Sequence, residues 1–482
     1  MIRPDSPRLR RAFPVPPVRI AHLGLGAFHR AHQAMYIAAA ADGADWGVRA
    51  FTSRSVALPQ VLTGQDCLYT VVERGAGADT FRIGTALADA RPGGDVTAWR
   101  ATCADERTSL ITLTVTEAGY RLRPDGRLDH DDPAVRADVA ALASDPAGAV
   151  PVTVVGRCVL GLLERFRGSG GGSGGAQVAI MSCDNLADNG TLLRHAVLGL
   201  IARLRPGSPD FAAWVERAVA FPCCVVDRIT PATTDADIAA VKEATGIRDE
   251  AAVVTEPFSE WVIEDIMGVG GTGGPAVPPE SGAPLPDLRS AGATLTGSVL
   301  PFEQRKLWML NGAHTLLAFA GLRRGHATIA DTFADDVCRS WVEQWWDTAA
   351  RHVRPPAADV AGYRHALAQR WENARIRHLV TQVAQDPLEK LPVRVIPVLR
   401  RELAAGRLDA AAVRPIAAWL ATTTDGERLT TDRVRAAVGA LDAECAASDQ
   451  VVALVRAVTA EMQAARPPRV AGRSKESGPS KG

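Results

Sequence analysis

A short strand-forming run, Val18-Arg19-Ile20-Ala21-His22-Leu23, leads directly into Gly24-Leu25-Gly26-Ala27-Phe28-His29. Glycines at this spacing let a backbone turn sharply from strand to helix and approach an anion closely, the arrangement that cradles a pyrophosphate. A helix is expected over 31–41, and its first amides would face that anion. Runs at 46–52, 110–116 and 177–182 read as further strands with helical stretches between them, which points to an α/β unit with a parallel sheet. His29 stands where the third glycine of the usual pattern falls, and the same residues also fit an ordinary glycine turn.

Past about residue 300 the pattern changes. Segments 307–321, 333–350, 361–385 and 433–443 have helical periodicity and few strand signals. Two stretches interrupt the chain: the glycine- and serine-rich 168–175, and 268–286, rich in glycine and proline, which suits a connection between domains. The last residues, 466–482, have the composition of a disordered tail.

Lysine plus arginine equals aspartate plus glutamate, 54 of each. A chain with no net charge has no general pull toward nucleic acid or an anionic membrane, so neither is an expected partner. No apolar run reaches the length of a membrane span. The eight cysteines form no CxxC pair, which argues for reduced thiols in the cytoplasm and offers no zinc site.

At the end of the second expected strand an NAD-binding protein usually places an acid on the ribose hydroxyls. Here the chain reads Thr52-Ser53-Arg54-Ser55, with no acid. Arg54 would suit the 2′-phosphate of NADP, or else a solvated surface.

The richest polar stretch is Glu303-Gln304-Arg305-Lys306-Leu307-Trp308-Met309-Leu310-Asn311-Gly312-Ala313-His314. On a regular helix Lys306, Asn311 and His314 fall within an arc of about 140°, which they share with Leu307 and Leu310. A lysine on such a face loses solvation and moves toward the range of a general base, while an amide and an imidazole can hydrogen-bond a developing alkoxide. A surface lysine beside a hydrogen-bonded core histidine fits the same spacing. A second cluster, Ser182-Cys183-Asp184-Asn185-Leu186-Ala187-Asp188-Asn189-Gly190, follows an expected strand, where open α/β sheets bind ligands; its Asx residues also serve as turn formers.

Taken in order, residues 22–33, 114–120, 182–190, 221–231 (Phe221-Pro222-Cys223-Cys224-Val225-Val226-Asp227-Arg228-Ile229-Thr230-Pro231), 257–265 and 306–314 resemble the mannitol dehydrogenase family, the polyol-specific long-chain dehydrogenases. The resemblance spans residues 20 to about 400. It implies a Rossmann-type N-terminal domain over 1–290, a largely α-helical C-terminal domain over 291–465, and an active site in the cleft between them. It further implies metal-independent hydride exchange between NAD, or NADP, and a secondary alcohol of a sugar acid or polyol, in a monomer or small homo-oligomer.

By position, Lys306 matches the family's general base, and Asn185 and Asn311 the pair that polarises the reacting oxygen. His314 and Asp227 match substrate-binding residues, Glu303 a glutamate linked to proton exchange with solvent, and Lys390 a lysine near the substrate. Gly24, Gly26, Ala27, Phe28 and His29 match the cofactor turn. Where mannitol dehydrogenases tend to carry an arginine this chain has Gln382. With Lys390-Leu391-Pro392-Val393-Arg394, that looks more like the fructuronate reductases (D-mannonate oxidoreductases) of the family, in which Lys390 or Arg394 would meet a uronate carboxylate. Asp386-Pro387-Leu388 replaces the usual Asp-Gly-Ser, and 267–297 lacks the usual Gly-Arg-Pro-x-Trp block. A mannitol 2-dehydrogenase and, more remotely, a nucleotide-binding sensor without catalysis are the competing expectations.

Overall fold

The computed structural model describes residues 7–53, 55–168, 177–204, 209–265, 284–355, 359–424, 427 and 429–465. Arg54, most of the glycine-rich 168–175 stretch, 268–283 and the expected tail at 466–482 lie outside the described residues. The chain divides into two compact units, Met1–Glu303 and Gln304–Gly482.

The first unit is built on a six-stranded parallel sheet. Its order is Leu87–Arg91, Gly47–Phe51, Val18–Leu23, Leu110–Leu113, Val178–Ser182 and Val219–Ala220. Counted along this sheet, that is the 3-2-1-4-5-6 order of a Rossmann dinucleotide fold. The strands are near-continuous apolar runs because both faces are covered. Ala21, Leu23, Ile111, Leu113, Val178 and Ile180 pack into one core, while Ile20, Leu110, Ala179 and Met181 pack into the other. That is the two-residue alternation of a strand sorting side chains to opposite faces. The expected strand 110–116 ends early, at Leu113, because Thr114 turns its hydroxyl onto the Gly24 carbonyl at 2.9 Å.

Two small sheets complete this unit. Tyr69–Arg74 pairs with Asp79–Gly84 and Val253–Thr255, and Glu260–Glu264 lies between Cys224–Asp227 and Thr294–Thr296. The expected helix 31–41 is instead Ala27–Ala31 and Gln33–Ala39, broken at His32.

The second unit is largely helical. Every residue from Gly312 to Gly321 in the helix Gly312–Arg324 is buried, as is every residue from Ala411 to Ala421 in Ala410–Thr423. The expected single helix over 361–385 is two, Val360–Glu372 and Val380–Val383. The Asn373 side chain accepts the Arg375 amide at 3.2 Å, and Leu379 bridges to Thr328 as extended chain, so the helix stops. Among the described residues no helix is long and apolar enough to cross a membrane.

Candidate active site

At the first strand-to-helix turn the two glycines do different jobs. Gly24 has φ +111°, and a Cβ there would stand 2.0 Å from the Thr114 carbonyl oxygen, so the turn itself demands glycine. The Gly24 and Leu25 amides both donate to the Phe51 carbonyl, at 2.9 and 2.8 Å, which pins the turn to the neighbouring strand. A Cβ on Gly26 would meet only the Gly24 oxygen, at 3.5 Å. Packing therefore does not require Gly26; its missing side chain leaves space before the helix start Ala27–Ala31. The first amides of a helix have no intrahelical acceptor, and a glycine that packing does not require leaves room for a pyrophosphate beside them, so these residues fit NAD.

His29 is placed differently from the other residues assigned to this turn. Its side chain is fully buried and stacks on His22, with ring centroids 3.4 Å apart. His22 in turn meets the Thr112 and Thr114 hydroxyls at 2.9 and 3.1 Å. Burial lowers the His22 pKa to about 3 and pushes His29 well below the ordinary value, so both are neutral. The His29 ring is core beneath the turn. Ala27 and Phe28 are half-buried, and Phe28 stacks on His32 at 5.0 Å.

The turn after strand Val178–Ser182 carries Asn185, which is exposed. Its neighbours hold it by side chain-to-backbone bonds. Asp184 accepts the Val115 amide at 2.7 Å and the Tyr120 hydroxyl, which also meets Ser182 Oγ at 2.7 Å. Asn189 donates to the carbonyls of Asp184 and Cys224 at 3.2 and 2.8 Å and accepts the Cys224 amide at 3.0 Å. A Cβ on Gly190 would stand 2.4 Å from the Phe221 oxygen, so glycine lets this turn lie against the chain leading to Asp227. Burial raises the Asp184 pKa to about 7, against the pull of its hydrogen bonds from Tyr120, Val115 and Ser182. Asp227 is buried at the end of strand Cys224–Asp227, and Glu303 accepts the Asp188 amide at 2.9 Å. Asp184 and Asn189 belong to the second polar cluster of the sequence, but that reading assigns a role only to Asn185, and none to Tyr120. Their signal was there, in the Asx-rich turn and the tyrosine after the preceding strand.

In the second unit Lys306–Asn311 is a π-helical turn that runs on into Gly312–Arg324. The Gly312 amide bonds the Leu307 carbonyl, five residues back. In this register residues five apart lie about 50° apart around the axis, so Lys306 and Asn311 come onto one face instead of spanning the 140° arc expected of a regular helix. Lys306 is half-buried. Asn311 is 8% exposed, and its buried side-chain nitrogen has no hydrogen-bond partner among the described residues. A buried amide donor kept without a partner is costly, and points to a ligand oxygen.

His314 Nε2 accepts the Trp371 indole N–H at 2.7 Å. An indole nitrogen only donates, so the His314 proton sits on Nδ1. Burial first, then His378, Arg370 and Arg394, push the His314 pKa well below the ordinary value, leaving a neutral Nδ1–H donor. Arg394 reaches the Thr315 hydroxyl at 3.2 Å, and that hydroxyl donates to the Asn311 carbonyl at 2.9 Å. Lys390 is turned onto the carbonyls of Gln385 and Val383, at 2.5 and 3.4 Å, with Asp386 at 3.9 Å. Gln382 is exposed on the short helix Val380–Val383. Arg370, Trp371 and His378, which surround His314, were not picked out from the sequence, because no local spacing links them to it. Among the described residues no group of three or more His, Cys, Asp or Glu is arranged to hold a metal ion.

Comparison with known proteins agrees with this construction. Residues 18–272 match the mannitol dehydrogenase Rossmann domain and residues 298–467 the mannitol dehydrogenase C-terminal domain. D-mannonate oxidoreductase of Escherichia coli (strain K12) is 35% identical over 416 residues, covering 84% of this chain and 80% of that protein. Among solved structures, substrate-free D-sorbitol dehydrogenase superposes with a TM-score of 0.80 at 26% identity, covering 96% of this chain and 98% of that one. The mannitol 2-dehydrogenase of Pseudomonas fluorescens, solved as a ternary complex with NAD and D-mannitol, gives 0.76 at 27% identity, with 95% and 94% covered. The chain belongs to the mannitol dehydrogenase family, NAD-dependent dehydrogenases that act on a CH–OH group of polyols or sugar acids.

Proposed function

We propose that this enzyme interconverts D-mannonate and D-fructuronate without a metal, and that Lys306 is its general base. The observation that carries the catalytic assignment is the unpartnered Asn311 amide nitrogen on the same π-helical turn as Lys306. Held at the Gly24–Gly26 turn, NAD would supply the hydride acceptor for oxidation of the carbinol carbon, and its reduced form the hydride donor for the reverse direction. The neutral Lys306 amine removes the hydroxyl proton as the carbonyl forms, and the ammonium returns it in the reverse direction. Asn311 and Asn185 donate to the reacting oxygen, most strongly as it gains charge. The Nδ1–H of His314 donates to a second sugar oxygen, Asp227 accepts a sugar hydroxyl, and Glu303 passes the proton on toward solvent.

The acidic substrate is favoured by the cations around His314. Arg394, and Arg370 on the helix Val360–Glu372, both act on that imidazole, so an anionic sugar end beside it gains a charge-assisted partner. The relative D-mannonate oxidoreductase supports the same reading. A polyol such as mannitol has one observation in its favour: Lys390 already donates to the Gln385 and Val383 carbonyls. Initial rates with NADH and NADPH against D-fructuronate and D-fructose, each with and without EDTA, decide between them. The proposal expects an EDTA-insensitive preference for fructuronate; a preference for fructose overturns the uronate assignment and leaves the mechanism standing.

A further inference from the structure

The π-helical turn has a structural cause in a different helix. When a helix returns from five-residue to four-residue bonding, one carbonyl is passed over. With Gly312 bonded to Leu307, that acceptor falls within Trp308–Met309. Both of these carbonyls are met by indoles from the helix Asp336–Ala350. Trp345 Nε1 donates to the Trp308 oxygen at 2.8 Å, and Trp346 Nε1 to the Met309 oxygen at 3.0 Å. Trp345 is fully buried, and a Cβ on Gly312 would stand 2.8 Å from its ring, so only glycine admits the indole so close. Trp346 stacks on Trp371 at 5.3 Å, the same Trp371 that fixes the His314 tautomer.

We propose that Trp345 and Trp346 are positioning residues for the reaction: their indole N–H groups hold the π-helical turn, and the turn sets Lys306 and Asn311 on one face. Without these donors a buried carbonyl is left unsatisfied, and the segment gains by slipping to the regular register. Return to the regular register opens the angle between Lys306 and Asn311 from about 50° to about 140°. The inference rests on Lys306 being the base, and the experiment separates the two claims.

Trp345→Phe and Trp346→Phe keep an aromatic ring and delete only the donor edge; Gly312→Ala keeps both indoles and pushes on Trp345. Each is made in the full-length enzyme, alone and combined with Lys306→Ala, and assayed for kcat, KM and NADH affinity. The expected result is a fall in kcat of about 10- to 100-fold for the Phe variants, with KM and NADH affinity near wild type. In the Lys306→Ala background the same changes should cost clearly less, because only the placing of Asn311 is left to lose. Equal losses in both backgrounds, or wild-type kcat in both Phe variants, would overturn the positioning role while leaving Lys306 as the base. Full turnover by Lys306→Ala itself would remove the base, and this inference with it. If a Phe variant does not bind NADH, Gly312→Ala carries the same comparison.

Discussion

The turn after strand Val178–Ser182 and the helical turn Lys306–Asn311 hold their chemical groups by different means. In the first, an exposed Asn185 is held by neighbours whose polar atoms are spent on backbone groups: Asp184 on Val115, and Asn189 on Asp184 and Cys224. In the second, the Asn311 amide nitrogen is buried without a hydrogen-bond partner among the described residues, and the backbone beneath it is held by two tryptophans 37 residues further along. A strand end needs local bonds to aim one side chain. A helix that must align two groups five residues apart needs a change of register, and that change needs tertiary support.

Substitutions can sharpen this contrast. The largest effect is expected for Lys306→Ala, a loss of about 10²- to 10⁴-fold in kcat with NADH binding intact, read by steady-state kinetics and fluorescence titration. Asn311→Ala should lower kcat by about 10²- to 10³-fold and leave Tm near wild type, since its amide nitrogen has no hydrogen-bond partner among the described residues. Asn189→Ala should invert that pattern, costing about 2–3 kcal/mol in denaturant titration by breaking three bonds to the turn. If Asn311→Ala instead unfolds easily at full activity, the contrast between the two regions is lost.

At the cofactor turn, Gly24→Ala should cost about 3 kcal/mol, because its backbone conformation and the Thr114 oxygen both resist a side chain. Gly26→Ala should leave stability close to wild type and raise KM for NAD. Equal behaviour of the two variants would contradict the division of labour between the glycines.

The last prediction concerns pH. The Asp184 pKa is raised from 3.8 to about 7, so between those values the folded protein binds more protons than the unfolded chain. Its contribution is therefore fully present below about pH 4 and declines as pH rises toward 7, by at most about 4 kcal/mol. The stability difference between wild type and Asp184→Asn should shift over that window in favour of the variant as pH rises. A difference independent of pH would mean that Asp184 is ionised throughout.

The sheet was legible because buried parallel strands read as apolar runs, and because Gly24 and Gly26 punctuate the first of them. The glycine pattern of the turn did not reveal that His29 faces inward, since its stacking on His22 comes from the fold around it. The break at Asn373 carried a local sign, an asparagine able to cap a helix end, but the periodicity on either side masked it. The π-helical turn had no sign at all in its own six residues. Its determinants are Gly312 and two tryptophans on another helix, so a regular helix was the natural expectation and gave the wrong angle between Lys306 and Asn311.

The base assignment is tested most directly by the pH dependence of kcat/KM for alcohol oxidation in wild type and Lys306→Ala. The account predicts that the wild-type rate rises with pH through one ionisation, and that this limb is absent from the residual activity of the variant, which should increase only as hydroxide does. Retention of the same limb in Lys306→Ala would place the base on another residue and contradict the account.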